Sequence, residues 1–72
     1  MSGLRESKKA ATRARIARAA AGLALEQGAE ALTVAAVSEA AGVSTRTFHN
    51  YFAAMDEALT EFMVDRVTDL LG

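Results

Sequence analysis

Residues 33–52 read TVAAVSEAAGVSTRTFHNYF and contain two short helical patterns with a glycine between them. Thr33 and Ser44 each precede one of the patterns. Hydroxyl residues are favoured N-caps because the side-chain oxygen accepts a hydrogen bond from an amide of the first turn. Gly42 closes the first pattern, since glycine adopts the left-handed conformation without strain. The spacing therefore predicts two helices joined by a tight turn, the helix-turn-helix arrangement. The two predicted helices are 34–41 and 45–51.

The second of these helices needs support from packing. A helix of barely two turns is unstable alone in water. We therefore expect Phe48 and Phe52, four residues apart, to anchor it in the core. In the preceding helix, we expect Val37, Ala40 and Ala41 to face inward.

The composition of the whole chain favours an all-α fold. Its 72 residues make one domain at most, and they contain 17 Ala but no Pro, Cys or Trp. Ala has the highest helix propensity, and the absence of Pro removes the strongest helix breaker. Without Cys, the chain has no disulfide framework and no thiolate metal site. No uncharged stretch approaches the roughly 20 residues of a bilayer span, and no signal peptide is recognisable. We expect a cytoplasmic protein that does not enter a membrane.

Two further helical patterns flank the helix-turn-helix. Residues 12–27 carry apolar side chains at the spacing of one helix face, and Gly28 follows them. These apolar positions are Ile16, Ala19, Ala20, Leu23 and Ala24. Asp56 and Glu57 suit the positive N-terminal end of a fourth helix. Its apolar stripe consists of Leu59, Phe62, Met63, Val67 and Leu70. The sequence predicts a three-helix helix-turn-helix domain followed by the start of a fourth helix.

The outward face of helix 45–51 carries side chains suited to reading DNA bases. At about 100° per residue, Arg46 and Asn50 lie side by side on the face opposite Phe48. His49 and Thr47 flank them. Arg can pair with guanine and Asn with adenine through two hydrogen bonds, and Thr can contact a thymine methyl group. A merely solvated helix face more often carries Glu and Lys. The pattern therefore favours base reading in the major groove.

Three other side chains suit the phosphate backbone. Thr33 and Ser44 each place a hydroxyl and a helix N-terminus at an edge of the motif, where amides bind phosphate well. Plain N-capping is compatible with this role. Tyr51 offers a hydroxyl, but a core-edge aromatic explains it equally well.

Charge is uneven along the chain. Residues 1–18 contain six basic residues and one acidic residue, whereas residues 19–72 contain two basic and eight acidic residues. A basic segment on an acidic body can be a nucleic-acid or a membrane footprint. A solvated arm that keeps the chain soluble has the same composition, so charge alone leaves both interpretations open.

Three stretches together resemble one family. The run RARIARAAAGLALEQG (residues 13–28) resembles the first helix of the tetracycline-repressor-like (TetR) family of bacterial regulators. Residues 33–44 look like that family's second helix and turn. TRTFHNYF, followed by DEAL (residues 56–59), is similar to its recognition helix and the start of its fourth helix. The likeness covers residues 12–65 without a gap.

The resemblance implies a homodimer that binds a palindromic operator in double-stranded DNA. It further implies a ligand-responsive repressor with a larger all-α effector domain beyond helix four. The residues expected to face the bases are Thr45, Arg46, Thr47, His49 and Asn50. The residues expected to contact the DNA backbone are Thr33, Ser44, Tyr51, Arg5, Lys8, Lys9 and Arg13. The minor groove is the alternative for Arg5, Lys8 and Lys9.

The chain departs from the family pattern at three positions. Met55 stands where the family often has a Lys just before helix four, which removes one expected phosphate contact. Ala35 replaces a position that can carry a base-reading Arg. His49 stands where the family usually has Tyr.

We therefore divide the chain into three parts. Residues 1–11 are expected to form a flexible basic arm and residues 12–55 the helix-turn-helix DNA-binding domain. Residues 56–72 are expected to form a fourth helix that leads toward an effector and dimerisation domain outside this chain. Since the apolar stripe of helix four still continues at the last residues, we expect the chain to be part of a longer protein.

Two rival functions follow from other readings of the same residues. An enzyme needs converging reactive groups, and one His without Cys or ligand spacing offers neither a catalytic nor a metal site. No dinucleotide or P-loop fingerprint is present, so we expect no cofactor. The stronger rival is a small helical protein-interaction module that does not bind DNA. It predicts apolar anchors on the exposed helix face rather than Arg and Asn.

Overall fold

The computed structural model describes residues 4–71, with side chains from Lys8 onward. Within this range it contains four α-helices and no strand, so the predicted all-α fold class is confirmed. The helices are α1 (Leu4–Gln27), α2 (Val34–Ala41), α3 (Thr45–Tyr51) and α4 (Met55–Leu71). A 3₁₀ turn, Ala29–Ala31, connects α1 to α2. None of the described helices is both long and apolar enough to cross a membrane.

Helix α1 begins earlier than the sequence predicts. We expected residues 1–11 to be a flexible arm, but the chain is helical from Leu4 onward. Residues 4–11 contain no Gly or Pro, and adding residues to an existing helix costs far less than starting a new one. The Thr12 hydroxyl donates a hydrogen bond to the Lys8 carbonyl at 2.9 Å, which connects the predicted start of the helix to the additional N-terminal turns. The missing apolar periodicity was therefore a poor guide to where the helix begins.

The core lies where α1 contacts α2 and α4. Ile16, Ala17 and Ala20 are fully buried, and Ala21 is almost so. The predicted stripe included Ile16 and Ala20 but missed Ala17 and Ala21, because α1 packs against a neighbour on each of two sides. Small Ala side chains let those two helices approach α1 closely.

Helix α2 and its turn follow the predicted bounds. The Thr33 hydroxyl accepts a hydrogen bond from the Ala36 amide at 3.0 Å. Gly42 adopts the left-handed conformation with φ 75°. The Gly42 and Val43 amides then return to carbonyls of the last helical turn, which is the Schellman arrangement. This turn fixes the direction in which α3 leaves α2.

The inward face of α2 differs from the prediction at one position. Val37 and Ala41 are buried as expected, but Ala40 is exposed and Ser38 is buried in its place. Ser38 lies about 100° from Val37 on the same side as Ala41, whereas Ala40 lies on the other side. The expectation that Ala40 faces inward was wrong.

Helix α3 is held by the two predicted aromatic anchors. Phe48 is fully buried, and Phe52 is only 2% exposed. Their ring centroids lie 5.8 Å apart at an angle of 49°. Both belong to the core cluster that includes Ile16 and Val37. The anchor prediction is confirmed.

Helix α4 is buried only over its first turns. Ala58 is fully buried and Leu59 packs against the core, whereas Met63, Val67 and Leu70 are 54–86% exposed. The apolar stripe thus remains largely uncovered within the described residues. The Glu57 carboxylate accepts a hydrogen bond from the Ala53 amide at 3.1 Å, at the start of the helix.

Candidate nucleic-acid interface

Helix α3 presents a polar face opposite its buried ring. Arg46, His49 and Asn50 are exposed, while Phe48 is fully buried beneath them. Thr45, the first residue of the helix, is exposed as well. The outward direction of the Arg46 and Asn50 side chains is confirmed, and their contact with bases stays a prediction.

Ser44 and Thr47 form a small hydrogen-bonded unit at the start of α3. The Ser44 hydroxyl accepts from the Thr47 amide and donates to Thr47 Oγ1, both at 3.0 Å. A hydroxyl has one proton to donate, so the Ser44 hydroxyl must turn away from Thr47 before it can donate to a phosphate. The Thr47 hydroxyl, on a half-buried residue, is oriented by this contact and can still donate outward. Thr47 is therefore better placed than Ser44 to donate to DNA.

Thr33 occupies the other edge of the motif. Its side chain is exposed, and its oxygen accepts from the Ala36 amide. In this capping role the hydroxyl only accepts, so its proton is available for a phosphate oxygen. Capping and phosphate contact are compatible at this position.

The ring of His49 is oriented by the core beneath it. It meets the Phe48 ring edge-on, with centroids 5.4 Å apart and an interplanar angle of 86°. Such T-shaped contacts are favourable for aromatic pairs. The imidazole therefore stands on the exposed face in a supported orientation.

The structure brings two basic residues of α1 beside the end of α3. Lys9, Arg13, Asn50 and Tyr51 line one cleft. Lys9 and Arg13 lie four residues apart, on the same side of α1. Because these cations sit on a helix rather than on a flexible arm, their position relative to α3 is set by the fold. We call this group of four residues the basic cleft.

Arg13 has structural partners that the sequence did not predict. Its Nη2 atom donates to Glu61 Oε1 at 2.8 Å, forming a salt bridge between α1 and α4. Its guanidinium carbon also lies 5.4 Å from the centroid of the Phe52 ring. The side chain of Arg13 remains 45% exposed, and that of Glu61 is 28% exposed. Arg13 thus connects α1 with α4 and with Phe52, the residue that follows α3, while still facing the cleft.

Two other predicted backbone contacts are not brought into the cleft. Lys8 lies on a different side of α1, in a shallow groove shared with Arg15 and Arg18. Arg5 falls among the residues whose side chains lie outside the described part of the structure. The set of predicted phosphate contacts is therefore not a single surface.

Sequence reasoning missed Glu61 entirely. It lies 48 residues from Arg13, and no local pattern connects the two. The four-residue spacing of Lys9 and Arg13 was a usable signal for a basic helix face. This spacing has meaning only in a helix, and the prediction of a flexible arm over residues 1–11 excluded one there.

Two of the positions that depart from the TetR pattern lie in the first turns of α2 and α4. Ala35 is exposed in the first turn of α2, and Met55 is half-buried at the first residue of α4. Neither side chain can donate a hydrogen bond to a base or a phosphate.

In the described part of the chain, no three His, Cys, Asp or Glu residues are grouped so that they could hold a metal ion.

Comparison with known proteins finds a family match over the region that contains this surface. A family model described as "Bacterial regulatory proteins, tetR family" matches residues 16–61, more than half of the chain. The match spans the core part of α1, the whole helix-turn-helix and the first turns of α4. Neither a curated protein nor a solved structure gave a significant match to the chain.

Proposed function

Because the chain belongs to the TetR family of bacterial regulatory proteins, a family of DNA-binding transcriptional regulators, we propose that it binds a specific DNA sequence through α3. The single observation that carries this proposal is the exposed polar face of α3. A helix of seven residues, held in place by Phe48 and Phe52, presents Arg46 and Asn50 to solvent. Such a helix fits the major groove, which is about 12 Å wide.

The side chains on this face have complementary chemistry for base edges. Arg46 can donate two hydrogen bonds to guanine O6 and N7, and Asn50 can bridge adenine N6 and N7. Each such pair discriminates against the wrong base by about 1–3 kcal/mol. Thr47 can contact a thymine methyl group or donate through its hydroxyl. The proposed base contacts are Thr45, Arg46, Thr47, His49 and Asn50.

Contacts with the DNA backbone position α3 in the groove. Phosphate contacts supply most of the affinity but carry no sequence information directly. The basic cleft and the Thr33 hydroxyl lie at the two edges of the motif, as such contacts require. The proposed backbone contacts are Thr33, Ser44, Tyr51, Arg5, Lys8, Lys9 and Arg13.

We further propose that the protein acts as a homodimer at a palindromic operator. One α3 covers a few base pairs, and a second copy about one helical turn away, roughly 34–36 Å, doubles the sequence read. We assign the dimer contacts and the site for a small effector ligand to a further domain. Helix α4 leads toward that domain from the helix-turn-helix domain, residues 12–55. The protein represses a gene if the operator overlaps the promoter of that gene. Release of the protein from the operator by a small ligand makes this repression ligand-responsive. Because bacterial DNA lies in the cytoplasm, so does the proposed site of action.

The proposed function is tested by selecting duplexes from a random pool with the chain and sequencing those that remain bound. Sequence-specific binding predicts an enriched motif of a few base pairs. Binding through phosphates also predicts that affinity falls with salt by about 0.9 log units per log unit of salt for each phosphate contacted. An unenriched pool, or binding that is indifferent to salt, contradicts the proposal.

The second candidate is a protein-interaction module without DNA binding. Its supporting observation is the exposed apolar surface of α4, where Met63, Val64 and Val67 are each more than half exposed. An interaction helix of this kind needs no basic cleft and no Arg on α3. The same selection separates the two functions, since an interaction module retains no duplex.

A further inference from the structure

The basic cleft has the chemistry of a phosphate site. Each lining side chain can donate a hydrogen bond: the Lys9 ammonium, the Arg13 guanidinium, the Asn50 amide and the Tyr51 hydroxyl. Two of the four also carry a positive charge. A phosphate diester offers only acceptor oxygens and one negative charge, so it matches this lining. The cleft also adjoins the exposed face of α3, where DNA is proposed to lie.

One of the two cations in the cleft is already paired. Arg13 donates to Glu61 at 2.8 Å, and Glu61 belongs to α4, which does not contribute to the cleft lining. The carboxylate neutralises the guanidinium from outside the cleft. The Phe52 ring, 5.4 Å away, supports the guanidinium from the core side. Arg13 therefore faces two possible anions: the carboxylate of α4 and a phosphate in the cleft.

We propose that Glu61 is an intramolecular competitor of DNA for Arg13. A backbone phosphate entering the cleft takes the Arg13 hydrogen bond from Glu61, so the α1–α4 salt bridge breaks when the phosphate binds. Glu61 thereby lowers the affinity of the interface for every DNA sequence. This inference rests on the DNA-binding function proposed above and assigns to α4 a direct influence on that function.

The expected effect is modest because both side chains are partly exposed. Breaking a partly exposed ion pair costs little, but the released carboxylate also repels the bound phosphate. Together these effects predict that removing the Glu61 charge tightens DNA binding about fivefold at low salt. The tightening should shrink as salt screens the charges.

The experiment measures binding of the full 72-residue chain to a fluorescent duplex of random sequence. Fluorescence anisotropy is recorded from about 20 to about 200 mM NaCl, where phosphate contacts produce a measurable salt slope. Glu61→Gln removes the charge but keeps the size and one acceptor oxygen. Asp69→Asn is the matched control, because it makes the same charge change on an exposed residue of α4 about 12 Å further along the axis. Glu61→Gln is expected to bind about fivefold more tightly, and Asp69→Asn to change affinity less than about twofold.

A second pair of variants shows whether the effect passes through Arg13. In the Arg13→Gln background there is no guanidinium to release, so adding Glu61→Gln is expected to tighten binding by much less than fivefold, through the loss of carboxylate–phosphate repulsion alone. A general charge effect would persist undiminished in that background. Far-UV circular dichroism verifies that each variant keeps its helical content. Glu61→Ala, which removes the acceptor as well, is expected to tighten binding to the same extent. Agreement between the two variants shows that the effect does not come from a folding defect particular to Gln.

Three results would overturn the inference. They are weaker binding by Glu61→Gln, equal effects of Glu61→Gln and Asp69→Asn, and an undiminished effect in the Arg13→Gln background. In each case the wild-type chain still binds duplex DNA, so the proposed function stands. If the wild-type chain binds no duplex at any salt concentration, the proposed function itself fails and this inference fails with it.

Discussion

Replacing Phe48 with Ala tests whether packing alone holds α3 in its position. The Phe48 side chain is fully buried in the core and contacts the Phe52 ring at a centroid distance of 5.8 Å. Burial of about 150 Å² at about 25 cal/mol per Å² stabilises the fold by about 4 kcal/mol. Measured Phe→Ala substitutions in cores cost about 3–5 kcal/mol, in agreement with this value. A chain of this size has a free energy of unfolding of about 4–11 kcal/mol. We therefore expect the variant to lose a third or more of its stability.

Urea unfolding followed by far-UV circular dichroism measures this loss. Leu25→Ala is the control, since Leu25 is apolar but 86% exposed, and such surface changes stay within about 0.5 kcal/mol. Phe48→Leu retains most of the apolar volume and is expected to lose about 1–2 kcal/mol. If Phe48→Ala unfolds within about 1 kcal/mol of the wild type, then α3 is not held by this ring and the reasoning is refuted.

Three further changes probe other parts of the structure. The Ser38 hydroxyl is buried and has no hydrogen-bond partner among the described residues, so Ser38→Ala should raise the free energy of unfolding by about 1 kcal/mol in the same urea experiment; a loss of that size would contradict it. Ser44→Ala removes the cap that accepts from the Thr47 amide and should cost about 1 kcal/mol, whereas an unchanged urea midpoint would show that the cap is dispensable. Met55→Lys places an ammonium at the first residue of α4. If this ammonium contacts a phosphate, the affinity for a duplex should fall with salt more steeply, by about 0.9 further log units per log unit of salt. An unchanged slope would place that position away from the phosphates.

The sequence predicted α2, the turn and α3 well because their limits depend on local chemistry. Thr33 and Ser44 cap the helices that follow them, and Gly42 takes the left-handed conformation that ends α2. Each of these effects involves residues within one turn of the helix. The periodic spacing of Phe48 and Phe52 likewise fixed which face of α3 is buried, and hence that Arg46 faces outward.

The remaining features depend on contacts that no local pattern encodes. The start of α1 at Leu4 reflects extension of a packed helix rather than apolar periodicity. The burial of Ser38 instead of Ala40 depends on the angle at which α2 meets α1. The Arg13–Glu61 salt bridge joins residues 48 positions apart. From the sequence alone, many other pairs of opposite charges could equally have formed a salt bridge. Composition showed that the N-terminal part is basic, but only the fold places Lys9 and Arg13 beside α3.

The central claim is that α3 reads bases, and the base preference of Arg46→Ala tests it most directly. Arg18→Ala is the control, since it removes the same charge from an exposed residue on a different side of α1 from the basic cleft. Both variants and the wild type are titrated against the selected duplex and against duplexes changed at one base pair at a time. The account predicts that Arg46→Ala loses about 1–3 kcal/mol of discrimination at one base pair while keeping its preferences elsewhere, and that Arg18→Ala keeps all of them. Equal weakening of every duplex by Arg46→Ala would make Arg46 a phosphate contact and contradict the claim.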